Sequence, residues 1–597
     1  GRRPALAAQL AGLLQRQGAE VQKLEQDVDV KETPPASPQG PRGRGRPEGS
    51  ATGAPPEGKK SEEPKTVHLP LGSYIIRMDQ PYSRMVDMLL DTQYYSTSDP
   101  RPYDDTGWTL GPLRNVKTVR VTDLSILKAP MTLVAVPARF DGSGVAATHA
   151  AKGKSPAARA YAINASAEPG LAALRFRLKD VRFSAAEEGF EAGGEKFAAG
   201  SFVLTVDGNP GDMESRLNDA ARELGIRVSS LEAVPSVPRH DVGLPRIALL
   251  HNWTDTQNEG WFRLGLEESG VPYVYISDQT VRASPNLREK FDVIISPPVF
   301  GGLTLILNGI PKRIAPDGSD AGSAVPWQNS PATPNMGGVD QSADIRGGLG
   351  LEGAEHIRKF IEDGGLFVPV GSSTRLPIDL GITDTVSIVE TRQLQARGSI
   401  VRASVEDKAS PIAYGYDDTV GVYFNQAPVF RVSVGGGGGG GEFGGAGEGR
   451  PSGRGSATDP DIPQGRAWNP PEPAPRRSRA EQELYVSPDA QRFSRFVPPA
   501  SLYPRVVLRF AEEKDLWVSG MLAGASELAN APAVVDVPVG RGHVVLFATN
   551  PMWRHETQGS FMLLLNAALH FDHLSAGRKP PAGKPKPAPD PAGGEAN

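Results

Sequence analysis

The residues able to do chemistry in this chain include nine histidines but no cysteine. Disulfides, thiolate metal sites and a cysteine nucleophile are therefore excluded for this sequence. The densest polar and aromatic group is His251, Asn252, Trp253 and Asp255, in the run HNWTD. A loop of this composition can form a pocket for a peptide or a glycan, with Trp253 as a stacking surface. The same Asn and Asp can instead bond the local backbone and cap the next helix. A second group, Asp340, Asp344 and Arg346, lies just before GGLG. It reads either as a charged patch at the same sheet edge or as an Arg–Asp pair pinning a loop. A third group, Trp553, Arg554, His555 and Glu556, forms the loop after the last expected strand.

Three further constellations are less distinctive. Asp104 and Asp105 beside Trp108 (PYDDTGW) can bind a cation through paired carboxylates or simply form a turn. His570 and His573 (HFDH) have a spacing that suits a metal, or they mark a surface helix end. Ser372 and Ser373 (GSST) follow a strand but lack the G-x-S-x-G elbow and a partner base, so they read as loop serines.

The elements that must position HNWTD lie within residues 244–276. Residues 246–250 are a short apolar run behind Pro245, and residues 257–269 carry Trp261, Phe262 and Leu266 on one helical face. Gly270 suits the position just past a helix end, and the aromatic, β-branched run 271–276 reads as a second strand. This strand–helix–strand unit predicts a parallel sheet in an α/β layer. HNWTD then leaves the carboxyl edge of the sheet, where open α/β sheets place ligands. The WRHE loop leaves the same edge, so His251, Trp253, Arg554 and His555 are expected to converge.

Similar patterning places helices over residues 79–91, 213–224, 351–361 and 561–569. It places strands over residues 71–78, 116–127, 200–206, 291–295, 366–370, 385–390, 429–434, 505–510 and 542–548. The connection 301–350 is long enough to be functional or disordered. Gly (68) and Pro (55) concentrate in low-complexity stretches, including seven consecutive glycines from Gly435. Formal net charge is −5, which argues against a general nucleic-acid partner. No apolar run approaches the roughly 18–20 residues of a membrane span.

Three stretches resemble the C-terminal region of large bacterial zinc carboxypeptidase-family proteins. They are YIIRMDQPYSRMVDMLLDTQYY with PYDDTGWTLG; RIALLHNWTDTQNEGWFRLGLEESGVPY followed by DIRGGLGLEG and FIEDGGLFVPVG; and GRGHVVLFATNPMWRHETQGSFMLLLNAAL. With PIAYGY they cover most of residues 67–573. The resemblance implies an upstream zinc peptidase domain as partner, zinc as the full-length family's cofactor, proteolysis as its activity, and a secreted or periplasmic location. It also implies a domain similar to class I glutamine amidotransferases. The family's H-x-x-E zinc pair has no counterpart, since none of the nine histidines is followed by Glu three residues on. No catalytic or metal-binding residue and no cofactor is therefore assigned to this stretch.

The expected fold is α/β and multi-domain, with a doubly wound, mostly parallel sheet of amidotransferase or flavodoxin type. Residues 1–30 read as the tail of an upstream region and 31–66 as a disordered linker. Residues 67–140 and 157–240 read as small α/β modules, and 244–434 with 481–575 as the amidotransferase-like domain. Residues 435–480 read as a disordered insertion and 576–597 as a disordered tail. The expected function is that of a non-catalytic accessory portion of such a protein. A stand-alone peptide- or glycan-binding module and a Ser/His hydrolase are the alternatives.

Overall fold

The computed structural model describes residues 3–32, 65–95, 99–100, 108–138, 140, 158–426, 428–434 and 499–578. Asp104, Asp105, most of the stretch expected as a linker (33–64) and the insertion 435–480 lie outside the described residues.

Helix α1 (Pro4–Arg16) starts with proline in its first turn and buries Leu6, Leu10, Ala11 and Leu14. No neighbouring side chain caps it. Glu168, far along the chain, accepts from the amides of Ala5 (2.9 Å) and Leu6 (3.0 Å) instead. This supplies the acceptor that a helix start lacks. Strand β1 (Gln22–Leu24) follows, then β2 (Val28–Glu32), β3 (Lys65–Leu69), β4 (Tyr74–Ile75), α2 (Ser83–Leu90), α3 (Leu110–Leu113) and β5 (Met131–Leu133). β1 is the central strand between β4 and β5. The chain before residue 30 therefore shares a sheet with residues 74–133. β2 and β3 pair as an antiparallel ladder in which Glu32 stands opposite Lys65. The strand expected over 116–127 does not form. Leu124 and Leu127 face solvent while Ile126 is buried, and Leu124–Lys128 makes a 3-10 turn capped by Asp123.

A second unit contains β6 (Ala160–Ile163), α4 (Gly170–Arg177), β7 (Ser184–Ala186), β8 (Phe190–Ala192), β9 (Glu195–Phe197), β10 (Phe202–Thr205), α5 (Met213–Leu224), β11 (Ser229–Leu231) and β12 (Arg239–Asp241). Its five-stranded sheet runs β11-β6-β10-β7-β12 and is antiparallel throughout. α5 buries Met213, Leu217, Ala220 and Ala221 at helical spacing and ends at left-handed Gly225.

The largest unit begins with β13 (Ile247–His251), α6 (Gln257–Glu268), β14 (Val274–Ser277), α7 (Asp278–Arg282), α8 (Leu287–Lys290), β15 (Val293–Ser296) and α9 (Gly302–Asn308). It continues through α10 (Gly350–Glu362), β16 (Leu366–Pro369), α11 (Arg375–Asp379), β17 (Val386–Ile388), β18 (Gln395–Val405), β19 (Thr419–Phe424) and β20 (Phe430–Val432). It closes with β21 (Arg505–Phe510), α12 (Glu513–Leu516), β22 (Trp517–Ala523), β23 (Pro532–Val539), β24 (Gly542–Phe547) and α13 (Phe561–Leu569). Five strands in the order β14-β13-β15-β16-β24 pair in parallel. Counting only these five parallel strands in chain order, the arrangement is 2-1-3-4-5, the doubly wound flavodoxin-like order, with its switch point between β13 and β15.

Beyond β24 the sheet turns antiparallel through β23, β21, β18 and β19, with β22 also on β18. The chain is thus α/β and multi-domain, with a doubly wound parallel half continued by an antiparallel one. Phe262, Leu266, Phe360, Phe367 and Phe547 are fully buried in its core. All nine residues of α13 are buried. Among the described residues no helix is long and apolar enough to cross a membrane.

Candidate ligand site at the switch point

His251 is the last residue of β13. In the parallel register Leu249 stands beside Tyr275 and His251 beside Ser277. Alternate strand residues share a face, so His251 and Tyr275 lie on the same side of the sheet. Their rings stack at 4.1 Å and 7°, and Trp253 meets His251 edge-on at 4.7 Å. His251 Nε2 lies 2.8 Å from Asp340 Oδ2, while its buried Nδ1 has no hydrogen-bond partner. Burial lowers the pKa of this imidazole and Asp340 only partly opposes that, which keeps the ring neutral.

The turn itself is self-bonded, as one of the two readings required. Asn252 Oδ1 accepts from the Thr254 amide at 2.8 Å. Asp255 Oδ2 accepts from the Phe300 amide at 2.7 Å, which ties the loop after β13 to the loop after β15 across the switch point. Burial raises the Asp255 pKa. The long connection after α9 then folds back over this turn. Trp327 is fixed by paired backbone bonds with Ser342 (2.8 and 3.0 Å), and its ring stands 6.1 Å from that of Trp253. The Trp253 indole donates to Gln279.

Sequence reasoning missed several members of this cluster. Asp278 opens α7 at the carboxyl end of β14, is buried, and has its pKa pushed up to about 7 by that burial. Glu259 on α6 is buried with Oε2 unpartnered, and its pKa is also raised by burial. Arg263 lies over the Tyr275 ring at 5.1 Å. The rule that selected HNWTD, chain leaving the carboxyl end of a parallel strand, also selects Asp278. Trp327 had a weaker signal, a large aromatic in an otherwise polar stretch. Aromatic faces can stack on a sugar or peptide group, and the Asp278 carboxyl, pushed up to about 7 by burial, can either donate or accept a hydrogen bond there.

The other sequence candidates are placed elsewhere. Arg346 is buried and bidentate, with Nε 2.9 Å from Asp344 and Nη2 2.6 Å from Asp320. These bonds hold Asp344 well below the usual carboxylate range, so the pair pins the connection as a loop clamp. Trp553 stacks on Tyr423 at 4.9 Å, Arg554 lies over the Trp553 ring at 5.0 Å, and His555 meets Phe561 at 5.6 Å. Helix α6 separates the two loops. Its Glu259 and Arg263 side faces Tyr275, while Gly265 faces Met552 and Phe561. His251 thus gathers with Trp253, whereas His555 belongs to a second cluster.

Ser372 donates to the Val299 carbonyl at 2.7 Å, and Ser373 donates to that of Pro297. Both serve the backbone after β15. His570 is not at the surface. It is buried, with Nδ1 3.0 Å from His240 Nε2, and His240 Nδ1 is 3.0 Å from Glu187. His573 stacks flat on His240 at 4.7 Å, so these nitrogens bond or stack with one another and do not converge on a common point. Among the described residues no group of three His, Asp or Glu has metal-ligand geometry.

No family model matches the chain, and no curated protein matches it. Solved structures with some likeness include a cytoplasmic protein from Salmonella typhimurium, 10% identical, covering 54% of this chain and 98% of that one at a TM-score of 0.26. A β-galactosidase from Bacillus circulans is 10% identical over 60% of this chain and 34% of its own, with a TM-score of 0.25. A ThuA-like protein from Bacteroides uniformis is 8% identical over 57% and 95%, also with a TM-score of 0.25. At these scores the likenesses carry no argument about fold or function.

Proposed function

We propose that this chain is a non-catalytic accessory portion of a secreted or periplasmic zinc carboxypeptidase-like protein, and that its doubly wound domain binds peptide or glycan beside an upstream peptidase domain. The accessory role rests on the motif resemblance and on the missing H-x-x-E pair. The binding role rests on one observation: Trp253, Trp327 and Tyr275 gather with Asp255, Asp278 and Gln279 at the switch point, where this topology exposes strand ends to ligands. A stand-alone binding module uses the same cluster and differs only in needing no peptidase partner.

The test measures zinc content and carboxypeptidase turnover on this chain, beside a version extended upstream in the same gene. Tryptophan fluorescence of this chain is titrated in parallel with short peptides and oligosaccharides. The proposal expects no zinc and no turnover here, activity in the longer chain, and saturable quenching. Stoichiometric zinc with turnover by this chain would overturn the accessory role, and absence of quenching would overturn the binding role.

A further inference from the structure

A cavity of about 560 Å³ lies where α1, the start of α4, the ends of α5 and α6, and the turn after β24 meet. That volume falls in the small-ligand range. Its wall is apolar on several sides, with Leu13, Ala173, Leu224, Ile226 and Phe561. Into the same wall is set Arg114, only 7% exposed. Its guanidinium donates to Gln558, and its buried Nε has no hydrogen-bond partner. Burial depresses the Arg114 pKa to about 10, with Glu556 opposing and Arg16 adding to the fall. Buried cations are ordinarily paired, and buried donors are ordinarily bonded.

The surrounding groups are arranged around this guanidinium. Gln558 Nε2 lies 3.2 Å from His555 Nδ1. Gln558 accepts from Arg114, so its amide is left to donate and His555 Nδ1 accepts. Burial and Arg114 lower the His555 pKa, which keeps the ring neutral, while Glu268 opposes from the α6 side. Arg554 and His555 both hold left-handed φ, at 48° and 58°. Successive non-glycine residues in that region mark a backbone fixed by its surroundings, often at ligand sites. Three acids line the wall: Glu168 accepts from the start of α1, Glu223 pairs with Arg177 at 2.5 Å, and Glu268, at the end of α6, acts on His555.

We propose that this cavity binds a small molecule with one carboxylate and an apolar body, Arg114 being the partner of the carboxylate. The site is separate from the switch-point cluster and stands or falls independently of it. The test is calorimetric titration of the full chain with 3-phenylpropionate and, separately, with its neutral amide. The acid is expected to bind saturably, and the amide about tenfold more weakly or worse. Arg114→Gln is expected to reduce acid affinity to that of the amide, and Leu13→Trp, which fills the cavity from α1, to abolish both. Equal affinity for acid and amide, no saturable binding of the acid, or acid binding that survives Leu13→Trp would overturn the proposal. The acid–amide comparison needs no variant, so it decides the matter even if Arg114→Gln does not fold.

Discussion

Replacing Asp536 with Asn keeps the shape of the side chain and removes its charge at the centre of the large sheet. Asp536 has no exposed surface. It sits on β23 opposite Arg505 on one side and Val545 on the other. His543 Nδ1 lies 2.6 Å from its carboxylate and Arg578 Nη2 lies 3.1 Å away. Burial pushes its pKa up, but His543, Arg578 and Arg505 outweigh burial and hold it below the ordinary carboxylate value. Breaking a buried pair costs about 3–5 kcal/mol, because the remaining charge stays buried. Arg578 retains 19% side-chain exposure, so the lower end applies, about 3 kcal/mol. That is on the order of a hundredfold in a local opening equilibrium. A multi-domain chain need not unfold in two states, so the assay is hydrogen exchange by mass spectrometry on peptides from β23 and β24. A depressed carboxyl pKa contributes stability above its unfolded value of about 3.9 and loses it as pH falls through the folded value. The difference between wild type and variant should therefore be full at pH 7 and close in acid. A change under about threefold at pH 7, with both strands still protected, would refute the reasoning that this network is a net stabilising one.

Other outcomes follow from the same kind of argument. Trp327→Ala should weaken peptide or oligosaccharide binding about tenfold while leaving far-UV circular dichroism unchanged, because the ring is 40% exposed and carries little of the core. His570 and His240 both have pKa values lowered by burial, so stability should fall as pH drops below about 6.5. A non-titrating His570→Asn variant should show a flatter Tm profile between pH 7.5 and 5.5. Arg346→Ala should expose the connection after α9 to limited proteolysis, since it frees both Asp320 and Asp344. Phe262→Ala should cost about 3–5 kcal/mol, measured as lost protection of α6, because that ring is fully buried.

Periodic segments were legible from the sequence alone. α5, β21 and α13 begin and end where their apolar spacing predicts. Apart from β21, the antiparallel half of the large sheet was not legible. β18 spans 11 residues, but its QARGSIVRASV mixes buried Ser399 with half-buried Arg397 and Arg402, so no clean alternation remains. Part of the switch-point cluster was visible as HNWTD, because the loop follows a parallel strand. Asp278 was open to the same rule, whereas Tyr275 and Trp327 join it only through strand register and the folding back of a distant loop. His240 and His570 stand 330 residues apart in sequence, and neither has a local pattern that would pair them. The expected meeting of HNWTD with WRHE fails for a geometric reason: both loops leave one sheet edge, but α6 lies between their side chains.

The ladder of β2 with β3 has a consequence for how this protein can vary. Glu32 and Lys65 stand directly opposite each other, so everything between them departs from and returns to a single point of the fold. The closure cost of such an excursion rises by only about 0.6 kcal/mol for each doubling of its length. The spacing of β1, β4 and β5 is set on the other side of that ladder and does not depend on the length. Relatives with a much shorter or longer excursion at this point can therefore keep the same architecture. The same position is a natural place to insert an affinity tag or a whole reporter domain without disturbing the sheet behind it.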